Sequence, residues 1–140
     1  GKKIVILGFS FKANTNDTRN SPAINICKRL IEEGANLMIY DPKVSAQQIG
    51  NELGIKISNN KDKSKFEGSW SYCESTIECF LKADAAVILT EWQEFKKLDY
   101  EIISRDMRKP AWIFDTRGVI DIEKTTSYNL NIWTIGNGMK

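Results

Sequence analysis

The sequence predicts a three-layer α/β domain: a doubly wound, mainly parallel sheet of five or six strands covered by helices on both faces. Two patterns carry that expectation. Short, wholly apolar runs rich in β-branched residues suit strands buried on both sides, and the stretches between them place apolar residues at helical spacing. The size agrees, because 140 residues correspond to one domain that buries about two thirds of its unfolded surface.

The elements follow in order along the chain. Ile4 to Leu7 is the first strand. Ser21 can cap a helix with Pro22 at its first position. Ala23, Ile26, Cys27, Leu30 and Ile31 then share one face of that helix, which turns Cys27 to the core, and Gly34 sits where a C′ glycine belongs. Leu37 to Tyr40 is a second buried strand, closed by Asp41-Pro42. Ser45 and Gln48 have capping-box spacing ahead of Ile49 and Leu53. Ser58 to Ser69, polar and lysine-rich, reads as an exposed loop. Trp70 to Cys73 is the next strand, and Ser75 with Glu78 repeats the capping spacing before Ile77, Phe80 and Leu81. After the strand Ala85 to Leu89, Asp99 caps a helix carrying Ile102, Ile103 and Met107, which Pro110 ends. Trp112 to Phe114 and Ile132 to Ile135 complete the sheet.

Composition removes several function classes. Twenty Lys and Arg against 18 Asp and Glu leave a net charge of +2, so the one-sided positive field of a nucleic-acid or membrane-surface binder is missing. No apolar run approaches the roughly 20 residues that span a bilayer, and a soluble, cytoplasmic protein is expected. There is no histidine, which excludes His-based triads, Cys-His dyads and His-ligated zinc. Cys27, Cys73 and Cys79 are an odd number without C-x-x-C spacing. They are expected to be structural, with neither a disulfide framework nor a metal site. Any part this chain takes in catalysis should therefore be binding.

In open α/β sheets the ligand lies beyond the carboxyl ends of the strands, where strand order reverses. Four segments fall on that edge: Gly8 to Lys12, Asp41-Pro42, Thr90-Glu91-Trp92, and Asp115 to Gly118. Lys12 and Arg117 on the rim, with Arg19 entering the first helix, form a candidate anion pocket. An ordinary dinucleotide site does not fit. The first loop reads Gly8-Phe9-Ser10-Phe11-Lys12-Ala13, with one glycine where G-x-G-x-x-G is required, and 13 residues separate Gly8 from Pro22. Asp41 alone occupies the place of a ribose-binding acid, and no phosphate-binding P-loop motif occurs. On spacing alone each candidate also has a plain structural reading. Lys12 is then a solvated loop lysine, Arg19 a partner of Asp17 or Glu32, Arg117 half of a salt bridge, Trp92 a core residue and Asp99 a helix cap.

The segment Gly8-Phe9-Ser10-Phe11-Lys12-Ala13-Asn14-Thr15-Asn16-Asp17-Thr18-Arg19-Asn20-Ser21-Pro22 resembles the G-x-x-F-K-x-x-T-x-D-x-R-x-S-P signature of the nucleotide-sugar dehydrogenases. Three further segments agree in order and spacing: Ile39-Tyr40-Asp41-Pro42, Thr90-Glu91-Trp92 with Phe95 and Leu98-Asp99, and Phe114-Asp115-Thr116-Arg117. The likeness runs from Gly1 to about Gly138.

That family oxidises the C6 alcohol of a nucleotide sugar to a carboxylate in two NAD-dependent steps. Its NAD-binding domain, catalytic cysteine and catalytic lysine lie upstream of the region matched. The resemblance implies that residues 1–140 are one domain, the substrate-nucleotide-binding C-terminal domain of a larger, homo-oligomeric enzyme. Alone it is expected to be monomeric and inactive, with no catalytic residue of its own.

By the same resemblance, Phe11 and Lys12 contact the sugar, Arg117 engages the nucleotide, and Arg19 reaches the pyrophosphate of NAD; Glu91 and Trp92 lie at the rim without an assigned role. The Thr90-Glu91-Trp92 segment inclines the expectation to UDP-glucose, oxidised to UDP-glucuronate. Relatives acting on GDP-mannose or N-acetylated UDP-sugars are the alternative, as is a stand-alone nucleotide-binding module. One departure is visible. The family often has Gly-Arg or Gly-Arg-Arg after the Phe-Asp motif, whereas here Thr116 precedes Arg117 and Gly118 follows it.

Overall fold

A computed structural model describes residues 1–55 and 68–135. Six strands, β1 (Lys3–Leu7), β2 (Asn36–Tyr40), β3 (Ser69–Tyr72), β4 (Ala85–Ile88), β5 (Trp112–Asp115) and β6 (Asn131–Thr134), form one sheet in the order β3-β2-β1-β4-β5-β6. Every pairing is parallel, as strand–helix alternation requires. The helices are α1 (Pro22–Glu32), α2 (Ala46–Leu53), α3 (Thr76–Cys79), α4 (Gln93–Lys96), α5 (Tyr100–Asp106) and α6 (Ile122–Thr125).

Successive residues of a strand point to opposite faces, so the central strands feed two cores. Ile6, Leu37 and Ile39 pack with Ala23, Cys27 and Ile31 of α1 and with Ile49 and Leu53 of α2. Val5, Leu7, Ile88 and Ile113 pack on the other face with Phe80, Phe95, Tyr100 and Ile103. Burial of each such Val, Leu, Ile or Phe side chain contributes about 1.5–3 kcal/mol. Cys27 is fully buried, as the helical spacing anticipates.

The caps divide into those the structure forms and one it does not. The Ser21 hydroxyl accepts from the Ala23 amide at 3.2 Å, Ser45 from Gln48 at 3.1 Å, and Asp99 from Ile102 at 3.2 Å. Ser75 makes no such bond. The helix after it is a single turn, so the expected face of Ile77, Phe80 and Leu81 does not form. Cys79 and Phe80 turn inward, while Ile77 and Leu81 stay exposed. The expected loop over 58–69 lies outside the described residues from 58 to 67, and Ser69 already belongs to β3.

Coverage of both sheet faces holds for the centre but not for one edge. Trp112 and Phe114 of β5 stack at 5.8 Å with 15° between their planes and, like Trp133 of β6, remain exposed. The reason is topological. The connections after β1 and β2 carry α1 and α2 toward β3, so among the described residues no helix on their side reaches β5 and β6.

Candidate functional site

Strand order reverses between β1 and β4, and the loops leaving their carboxyl ends diverge there. The β1 loop starts at Gly8, whose φ of +96° lies in the region favouring glycine. A Cβ at Gly8 would also collide with Thr90. Thr90 ties the two loops together by donating its hydroxyl to the Ser10 carbonyl at 3.0 Å. Behind them sits Asp41, at the end of β2 and fully enclosed. One carboxylate oxygen accepts from the Phe9 and Ser10 amides at 2.7 and 3.0 Å and from the Trp92 indole at 3.3 Å; the other accepts from Lys43 and Val44 at 2.8 and 3.0 Å.

The loop then turns outward. Phe9 is buried in the core, whereas Phe11 is 48% exposed and Lys12 is exposed. Their backbone is nonetheless fixed: the Phe11 amide donates to the Asp17 carbonyl at 2.7 Å, and the Ser10 hydroxyl donates to the Lys12 carbonyl at 2.8 Å. Among the described residues Lys12 forms no ion pair. The site thus presents an apolar ring and an uncommitted ammonium from a rigid base.

Arg19 is spoken for at its own loop. Its Nε and a terminal nitrogen donate to the two oxygens of Asp17 at 3.0 and 2.9 Å, with the guanidinium largely in solvent. Of the two partners open on spacing, the structure selects Asp17. The Arg19 hydrogen bonds hold the Asp17 carboxyl well below its usual range, at about 2.

Arg117 also has a partner. It sits in the turn after β5, where the buried Asp115 accepts from the Arg117 amide at 3.1 Å and the Ile120 amide at 2.7 Å. The guanidinium reaches Glu91, at the end of β4, through Nε at 2.6 Å and a terminal nitrogen at 2.5 Å, both to one oxygen. Partial burial pushes the Glu91 carboxyl up, but backbone N–H groups, including that of Ala13, and the Arg117 guanidinium outweigh it and leave the group below its ordinary value. Glu91 therefore joins the end of β4 to the β5 turn, and Thr90 joins it to the β1 loop, so Lys12 and Arg117 come from adjoining segments. Thr116 directs its hydroxyl to the Ile88 carbonyl at 2.6 Å rather than outward. The departure from Gly at that position is thereby absorbed within the sheet edge.

The remaining candidates are structural. Trp92 is buried with its indole on Asp41, and Asp99 caps α5. Burial pushes the Cys27 thiol up to about 12, and the Cys73 thiol together with burial pushes Cys79 up. Cys73 is lowered by its bond to Cys79, yet it is buried too. No group of three metal-ligating side chains occurs among the described residues. With Lys12 and Arg117 on one edge and the Phe11 ring exposed beside them, the arrangement can hold an anion and stack a ring.

Sequence reasoning undervalued two residues. Asp41 entered as a residue in the place of a ribose-binding acid and in a matching segment, without a role of its own, but its acceptor positions are filled by the protein's own donors. Glu91 entered without a role and proves to be the partner of Arg117. The signal for Asp41 was its place directly after a buried strand, facing three loops; nothing in the spacing foretold the Glu91 pair.

Comparison with known proteins points one way. The family described as the UDP-glucose/GDP-mannose dehydrogenase family, UDP binding domain, matches residues 5–122. UDP-glucose 6-dehydrogenase of Drosophila melanogaster is 42% identical over 135 residues, covering 96% of this chain and 28% of that protein. UDP-glucose 6-dehydrogenase 1 of Glycine max is 39% identical over 146 residues, covering 96% and 30%. The chain spans about 30% of the length of these curated relatives. Among solved structures, a UDP-D-ManNAc dehydrogenase from Pyrococcus horikoshii superposes with a TM-score of 0.67 at 27% identity, over 94% of this chain and 25% of that one. A UDP-glucose dehydrogenase from Pyrobaculum islandicum gives 0.67 at 24% over 96% and 25%, a likeness of fold. No described helix is long and apolar enough to cross a membrane.

Proposed function

Because the chain belongs to the UDP-glucose/GDP-mannose dehydrogenase family, through its UDP binding domain, we propose that it holds the nucleotide sugar for a UDP-glucose 6-dehydrogenase. In this reading residues 1–140 are the C-terminal domain of a larger, homo-oligomeric cytoplasmic enzyme, monomeric when isolated. The nucleophile and most of the NAD site come from the rest of that polypeptide.

The observation that carries the reading is the pairing of a fixed Phe11-Lys12 loop with the Glu91–Arg117 bridge on one sheet edge. A pyrophosphate and a sugar offer anionic and hydroxyl oxygens, which suit an ammonium and a guanidinium fork. Lys12 lies against the sugar, where its charge also favours the carboxylate product, and Phe11 contributes its backbone and ring. Arg117 turns part of its fork to the nucleotide.

The NAD that such enzymes use accepts hydride from the sugar carbon. The β1 loop does not fit an ordinary dinucleotide site: it lacks the required glycines, and Asp41 has no acceptor left for a ribose. Arg19 supplies only a charge at the border, its largely exposed guanidinium facing a pyrophosphate bound elsewhere.

Glucose is favoured over N-acetylated sugars by the relatives. Those at 42% and 39% identity are UDP-glucose 6-dehydrogenases. An NMR titration with UDP, UDP-glucose and GDP-mannose tests the reading. UDP-dependent shifts centred on Phe11, Lys12 and Arg117 are expected. An equal response to GDP-mannose would withdraw the glucose assignment, and silence toward all three would withdraw the site.

A further inference from the structure

Asp41 occupies the position from which this class of fold ordinarily reads a ribose, yet the structure gives it different work. A carboxylate has about four lone-pair positions, and Asp41 meets five donors drawn from three segments: Phe9 and Ser10 after β1, Lys43 and Val44 after β2, and the Trp92 indole after β4. It is 1% exposed, so no solvent competes. From the Ser10 amide the connection continues through one residue, because the Ser10 hydroxyl donates to the Lys12 carbonyl at 2.8 Å. Two hydrogen bonds therefore separate the Asp41 carboxylate from the backbone of Lys12.

We infer that Asp41 is a positioning residue for nucleotide-sugar binding, fixing the Phe11-Lys12 loop through Ser10 rather than touching ligand itself. The inference rests on the binding role of that loop proposed above. The opposite side of the site is set independently, since Asp115 fixes the Arg117 turn through the Arg117 and Ile120 amides. Each rim of the site thus has its own buried carboxylate. Binding energy at such a site depends on holding its groups in place before the ligand arrives.

The substitution Asp41→Asn separates this role from simple packing. It keeps the shape but places an NH2 group against either the Phe9, Ser10 and Trp92 donors or the Lys43 and Val44 donors, whichever way the amide turns. Ser10→Ala is the milder companion: it cuts the link to Lys12 and leaves the carboxylate intact.

The test is an amide NMR titration of the chain with UDP-glucose, comparing the unaltered protein, both variants and Asp115→Asn. Asp41→Asn and Ser10→Ala should each weaken binding about tenfold or more, with ligand shifts lost at Phe11 and Lys12 and kept at Arg117. Asp115→Asn should give the reverse pattern. A general loss of folding would lower both rims together, so the pattern distinguishes positioning from structure, and Ser10→Ala retains the test if Asp41→Asn does not fold. Both rims responding equally in Ser10→Ala, or its affinity being unchanged, would overturn the inference while leaving the binding site standing. Silence of the unaltered protein toward UDP-glucose would instead overturn the binding role itself, and this inference with it.

Discussion

Arg117 delivers both Nε and a terminal nitrogen to a single oxygen of Glu91, at 2.6 and 2.5 Å, while both side chains remain more than a third exposed. The contact links the end of β4 to the turn after β5 and leaves part of the guanidinium facing outward. Exposed pairs of this kind contribute at most about 1 kcal/mol to folding. Arg117→Ala should therefore lower stability by less than about 1 kcal/mol while weakening UDP binding tenfold or more, about 1.4 kcal/mol. Thermal unfolding and calorimetric titration read the two separately. A loss confined to stability would return Arg117 to a purely structural role.

Among the described residues Lys12 has no ion-pair partner, so its removal should cost nothing in folding. Lys12→Ala in the complete enzyme should reduce kcat/KM for UDP-glucose at least tenfold, because a charge-assisted contact that orients the sugar is lost. Steady-state kinetics beside a melting curve checks this, and unchanged kinetics would remove Lys12 from the site.

The Asp17–Arg19 pair makes a pH prediction with a definite sign. The folded Asp17 carboxyl ionises at about 2, below its ordinary 3.8, so the folded chain favours the charged form. Its contribution is present above the unfolded value and is lost as pH falls from about 4 toward 2. Carbon-detected NMR titration of Asp17 should show the low midpoint, and Arg19→Ala should return it to the ordinary range. A midpoint near 3.8 in the unaltered chain would mean that the pair does not hold in solution.

The isolated chain is expected to be inactive. Cys27 is held up to about 12 by burial, Cys79 is also raised, and there is no histidine. A purified preparation given UDP-glucose and NAD should form no NADH by absorbance, and Cys27 and Cys79 should resist alkylation at neutral pH until the chain unfolds. Turnover from such material would overturn the assignment of this chain to a binding role.

The fold was largely legible because periodicity and caps are local properties. The β-branched run at Ile4 to Leu7 and the Ser21-Pro22 start of α1 needed no distant partner to be read. Where tertiary packing decides, the reading failed. The capping spacing at Ser75 and Glu78 looks the same as that at Ser45 and Gln48, yet only the second begins a helix longer than one turn. The outward aromatic face at Trp112 and Phe114 likewise depends on where α1 and α2 come to rest, which no strand encodes.

For the site, sequence alone determined which residue types reach the carboxyl edge of the sheet, since a parallel strand places whatever follows it there. Its resemblance to a family singled out Phe11, Lys12, Arg19 and Arg117 as candidates. Only the tertiary structure decided how they are committed: Arg19 to Asp17 within one loop, and Arg117 to Glu91 26 residues away. Only the tertiary structure made Asp41, which stands where a ribose-binding acid would sit, the hub of three loops. Hydrogen bonds between loops depend on the sheet order that brings their strands side by side, and that order exists only once the chain has folded.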